Sequence, residues 1–71
     1  MPRSGKKLTM TPAQFRDHAR QHIAKYDGMD RERVRREFVE YMITSTEIRF
    51  SLAQMRAGIE GLDLGMMEGV R

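Results

Sequence analysis

The chain reads as a mostly helical protein in which a short N-terminal strand is followed by two or three helices, working as a dimer. Three observations predict this. Lys7-Leu8-Thr9-Met10-Thr11 alternates apolar and polar residues, the period of a strand. Thr11-Pro12-Ala13-Gln14 then joins a capping hydroxyl, a proline at the first helical position and a glutamine at the third. From Val34 onward, Phe38, Tyr41, Ser45, Ile48, Leu52, Met55, Ile59 and Leu62 follow a repeating spacing of four and three, the period of a helical seam.

Residues 1–5, with Pro, Ser and Gly beside one Arg, are expected to be a flexible basic arm. The strand that follows puts Leu8 and Met10 on one face and Lys7, Thr9 and Thr11 on the other. Five residues cannot stand as a lone strand, so it has to pair. The first helix is expected over about residues 12–26, with Phe15, Ala19, Ile23 and Tyr26 on its buried face, His22 beside them, and Asp27-Gly28 as the stop. Asp30 can cap the second helix, starting near Arg31, and Met29 can pack on Val34 as a hydrophobic staple. Its apolar residues Val34, Phe38, Val39, Tyr41, Met42 and Ile43 form a broad stripe, as for a helix with more than one neighbour.

Thr44-Ser45-Thr46-Glu47 reads either as a capping box that opens a new helix or as one turn of a single long helix. A break or bend is the favoured reading. Residues 47–60 are amphipathic and helical on both. Gly58, Gly61, Gly65 and Gly69 weaken the helix toward its end, so the tail from Leu62 is expected to order only when something binds it.

Seventy-one residues make one domain at most and bury a small core, and with no cysteine to staple it, association of subunits is the expected extra source of stability. No apolar run approaches the length of a membrane span, and the start lacks the hydrophobic stretch of a signal peptide, so a cytoplasmic location without membrane contact is expected. The net charge of +3 is unevenly spread. Residues 1–36 hold ten Lys or Arg against four acids, and residues 37–71 hold three against six. A basic first half suits a polyanion.

His18 and His22 share one helical face at the spacing of two zinc ligands, but no further His and no Cys completes a site, so no metal is expected. No nucleophile constellation or phosphate-cradling glycine loop is present, and no enzymatic activity or cofactor is expected. Met29, Met42 and Met55 lie in the apolar stripes and read as core, whereas Met66 and Met67, in the glycine-rich tail, read as partner contacts.

The order of basic arm, alternating strand, capped helix, Asp-Gly turn and second helix resembles the ribbon-helix-helix DNA-binding family over residues 6–43. The apolar positions Val34, Phe38, Val39, Met42 and Ile43 after Gly28, and the run Arg33-Val34-Arg35-Arg36-Glu37-Phe38-Val39, carry the likeness. The resemblance implies that two chains pair their strands antiparallel into a ribbon that enters the major groove of an operator in double-stranded DNA. Lys6, Lys7, Thr9 and Thr11 would face the DNA. The amides around Met29, Asp30 and Arg31 would clamp a phosphate, with Arg31 and Arg33 outweighing Asp30. Met55-Arg56-Ala57-Gly58-Ile59-Glu60-Gly61-Leu62-Asp63-Leu64-Gly65 looks like the C-terminal segment of ParD-type antitoxins. That likeness implies that residues 44–71 bind a protein such as a toxin through Ile48, Leu52, Met55, Ile59 and Leu62, in a repressor of its own operon. The other readings are a helical interaction module, such as a phage-encoded inhibitor or adaptor, and a helical subunit of a larger assembly, neither of them binding DNA.

Overall fold

A computed structural model describes residues 6–68; the expected arm, residues 1–5, lies outside the described residues. The elements run β1 (Lys6–Lys7), α1 (Pro12–Ala24), α2 (Gly28–Thr44), β2 (Ile48–Arg49) and α3 (Leu52–Met67). The chain is mostly helical, as its periodicity predicts.

Helix α1 starts where the Thr11 hydroxyl accepts the Gln14 N–H at 3.1 Å and the Gln14 carboxamide oxygen accepts the Thr11 N–H at 3.0 Å. Gly28, at a φ of +56°, turns the chain out of α1 and straight into α2. The second helix therefore begins about three residues before its expected start, with Asp27 rather than Asp30 at the cap. The expected staple does not form, and Met29 is 87% exposed.

The break after α2 is present, but a different residue makes it. The Thr44 hydroxyl donates back to the Glu40 carbonyl at 2.7 Å, so it does not cap a new helix. The Ser45 hydroxyl instead accepts the N–H groups of Glu47 and Ile48 at 3.2 and 3.1 Å and turns the chain into β2. Ile48 and Arg49, expected to be helical, are a strand. The true start of α3 is Ser51, whose hydroxyl and Gln54 side chain repeat the reciprocal cap of α1.

The two short strands pair in parallel within one chain, Lys6 opposite Ile48 and Lys7 opposite Arg49. This intrachain partner stands in place of the antiparallel strand from a second chain that the ribbon reading implies. The alternation itself holds: Leu8 and Met10 are half-buried while Lys7, Thr9 and Thr11 are exposed. Gln54, itself buried, secures the segment by donating its carboxamide N–H groups to the Leu8 and Met10 carbonyls at 3.1 and 2.8 Å.

Helices α1 and α3 lie side by side and parallel. Their contact is made by Gly58, Gly61 and Gly65, three of the glycines expected to loosen the tail; the fourth, Gly69, lies outside the described residues. A Cβ on Gly58 would stand 2.7 Å from the Phe15 ring and 2.8 Å from the Met42 sulfur, and a Cβ on Gly61 or Gly65 would overlap the Arg16 carbonyl or Ile23. Gly in a helix costs about 1 kcal/mol relative to Ala, but here it lets two backbones approach closely. Ala19, Ile23 and Leu62 form the centre of the core, with Val34, Phe38, Val39 and Met66 packed against it. The segment from Leu62 to Met67 is thus helix α3, ordered by its own chain.

Candidate interaction surfaces

Two surfaces gather the residues singled out from sequence. The first is the β1–β2 ribbon at the N-terminal ends of α1 and α3. Parallel partners share a face, so Lys7 and Arg49 stand abreast on the outward side with Thr9 next along the strand. Like charges directly opposite each other oppose pairing. Among the described residues no carboxylate forms an ion pair with Lys6, Lys7 or Arg49. Thr11 is also exposed, but its hydroxyl is committed to the α1 cap.

The phosphate-clamp residues do not join this ribbon. Arg31 is only 8% exposed, and its guanidinium donates to the carbonyls of Ala24, Tyr26, Met66 and Glu68 at 2.6–3.2 Å. It is a lock between the C-terminal ends of α1 and α3, satisfying carbonyls that a helix terminus leaves without partners. Arg31 therefore cannot serve as the expected phosphate contact. Arg33 is exposed and pairs with Asp30 at 3.3 Å. It sits near the start of α2, about 17 Å of helix away from the end that leads into the ribbon.

The inner face of the ribbon covers an apolar cavity of about 240 Å³, lined by Leu8, Met10, Phe15, Phe38, Tyr41, Ile48 and Phe50, with His18 at its edge. Phe15 is the hub of this cluster, its ring centroid 5.4 Å from that of Phe50 and 5.8 Å from that of Phe38. His18 stacks between Phe15 and His22, and His22 meets Tyr26 and Phe38. Partial burial lowers the His22 pKa, with the charges of His18 and Lys25 adding to the effect. The two histidines thus belong to an aromatic row along α1.

The second surface is the seam between α2 and α3, which run antiparallel. Arg35 reaches Asp63 at 2.8 Å, and Met42 lies against Gly58. In that register Val39 is level with Ile59, and Ile43 with Met55. On α3, Leu52, Met55, Ile59 and Met66 fall on one stripe at helical spacing. Ile43 is 68% exposed and Leu52 64%, with Ile59 exposed and Val39 and Met55 half-buried between them.

The expected partner-binding set therefore divides. Leu52, Met55 and Ile59 lie on the seam, and Ile48 turns under the ribbon. Leu62 has no exposed surface and belongs to the core, so it offers nothing to a partner. Met67 is exposed, whereas Met66 packs on the core. Sequence reading missed Val39 and Ile43 as seam residues, Arg49 as the ribbon's second outward cation, and Gln54 as the latch on β1. The signal for Gln54 was its place in a second Thr/Ser-x-Ala-Gln pattern.

Among the described residues, no helix is long and apolar enough to cross a membrane. No protein-family model, curated protein or solved structure matches the chain.

Proposed function

We propose that this protein is a non-catalytic interaction module that assembles as a homodimer through the α2–α3 seam. The exposure of Ile43, Leu52 and Ile59 along that seam carries the reading. The core fully buries few large side chains, Ile23 and Leu62 foremost, and a chain this small needs added burial to be stable. Laying two seams together builds a four-helix contact from antiparallel pairs, a packing that short amphipathic helices favour. It also sets Ile43 and Ile59 of each chain against their counterparts across a two-fold axis.

Isotope-filtered NMR on a mixed labelled and unlabelled sample tests this. Contacts between chains are expected at the Ile43 and Ile59 methyl groups, and Ile59→Asp is expected to abolish them while the helical signal persists. Contacts between chains confined to other surfaces would refute the seam.

A second reading keeps the function that the sequence resemblance implies without its interchain ribbon: a dimeric DNA-binding repressor, antitoxin-like, with a toxin as protein partner. Lys7 and Arg49, abreast and without carboxylate partners among the described residues, favour it. Lys6 and Thr9 extend the same basic end. This reading predicts that changing Lys7 and Arg49 to Ala weakens binding to a duplex and lowers the slope of log affinity against log salt by about two, because each phosphate contact contributes about one. An unchanged slope would count against it.

A further inference from the structure

The chain contains one structural unit twice. Thr11-Pro12-Ala13-Gln14-Phe15-Arg16 and Ser51-Leu52-Ala53-Gln54-Met55-Arg56 share cap, Ala, Gln, apolar residue and Arg at the same spacing. Each follows a short strand and opens one of the two parallel helices. Leu8, just after β1, thereby corresponds to Ile48 in β2, Thr9 to Arg49, and Gln14 to Gln54.

A sideways step relates the two units. Lys6 and Leu8 turn their N–H groups toward β2, where the Glu47 and Arg49 carbonyls accept them at 2.8 and 3.1 Å. Alternation then points the main chain of Lys7 and Thr9 to the opposite edge, just as that of Ile48 points away from β1. Leu8 and Met10, which follow β1, also share the inner face around the cavity with Ile48 and Phe50, while Lys6 at the start of β1 is exposed. A rotation would have reversed edge and face together. The step that carries β2 and α3 onto β1 and α1 therefore leaves a place beyond β1, equivalent to the one β1 fills beside β2.

That place has its receptors. Arg49 holds β1 by main-chain bonds to its neighbours, and Gln54 receives the carbonyls of Leu8 and Met10. The counterparts Thr9 and Gln14 are exposed. The Gln14 carboxamide oxygen serves the α1 cap, and its N–H groups have no partner among the described residues. The outer face beside the open edge carries Lys7 and Arg49, whereas the inner face borders the apolar cavity.

We propose that the open edge of β1 receives an extended segment of a partner protein that alternates apolar and acidic residues. The segment adds as a parallel third strand, its main chain bonded to Lys7 and Thr9 and its carbonyls to the Gln14 carboxamide. Its apolar side chains turn toward Leu8, Met10 and the cavity, and its carboxylates toward Lys7 and Arg49. This surface is separate from the α2–α3 seam and does not depend on it.

The test is a titration of the full chain against a fluorescein-labelled peptide of alternating Val and Glu. Peptides of alternating Val and Lys, and of the same Val and Glu in blocks, serve as comparisons. The alternating acidic peptide is expected to bind at least about tenfold more tightly than either, as favourable charges and register together imply. Gln14→Glu keeps the cap oxygen and removes the donor, so it should weaken binding about fivefold, the worth of one hydrogen bond. Gln21→Glu adds the same charge elsewhere on α1 and should leave binding unchanged. Exchange of the Thr9 amide should slow when the peptide is bound. Equal binding of the three peptides, equal effects of the two Gln variants, or an unaltered Thr9 amide would overturn the proposal. Binding of a DNA duplex with none of the peptide would also overturn it, by assigning Lys7 and Arg49 to a nucleic acid.

Discussion

The partial burial of His22 predicts a fold that is sensitive to mild acid. It is half-buried on α1 between Tyr26, Phe38 and His18, and its pKa is held below the ordinary histidine value because burial disfavours the charged ring. An unfolded chain takes up this proton near pH 6.5, and the folded chain only at a lower pH. Stability is therefore full above the ordinary histidine range and falls as the pH drops through it toward the folded value. Urea denaturation between pH 7.5 and 5.5 is expected to show this decline, and His22→Leu to flatten it. An equal slope in the variant would assign the sensitivity to another group. The position of His22 at the edge of the apolar face could be read from spacing alone. The role of Arg31 could not, because two of the carbonyls it binds belong to Met66 and Glu68, far away in sequence. The family resemblance implied a phosphate contact for it, and only the meeting of two helix ends shows why it is buried.

At the scale of elements, local chemistry was the most legible. The reciprocal cap of Thr11 and Gln14, the apolar alternation of Leu8 and Met10, the turn at Gly28 and the break after α2 each have their cause within a few residues. The glycines of α3 show the opposite case. Propensity predicts a weak helix from Gly58 onward, whereas packing against α1 makes the absence of a side chain the condition for the contact. Gly61→Ala separates these effects. On an exposed helix it would stabilise by about 1 kcal/mol. Here the new methyl overlaps the Arg16 carbonyl, and overpacking of this kind destabilises by about 1–3 kcal/mol. Chemical denaturation should give a lower midpoint for the variant, and a higher midpoint would show that α1 and α3 are not in close contact. The pairing of β1 with β2 was hidden for a related reason. Ile48 and Arg49 continue a helical spacing of apolar residues, and the Ser45 turn that redirects them carries a weaker signal than the Thr44-x-x-Glu47 pattern beside it.

For the whole molecule, the basic first half resolves into unlike parts. Lys7 stays on the open ribbon beside Arg49, Arg31 is consumed inside the fold, Arg35 pairs with Asp63 of α3, and Arg20 pairs with Glu68 at the end of that helix. Two cations of the basic first half are thus neutralised by acids of the second half. Besides scattered exposed cations such as Lys25, Arg33 and Arg36, the surface carries a short basic ribbon at one end and an apolar seam along α2 and α3. The division of the expected partner set follows from this arrangement: Leu52, Met55 and Ile59 share the seam, while Leu62, on the same periodic series, is turned into the core. The most direct test of dimerisation through the seam is the mass of the protein in solution by sedimentation equilibrium, over a range from low to high micromolar concentration. Twice the chain mass for the native protein and a single chain mass for folded Ile59→Asp is the predicted result. A native protein that stays at a single chain mass throughout would contradict it.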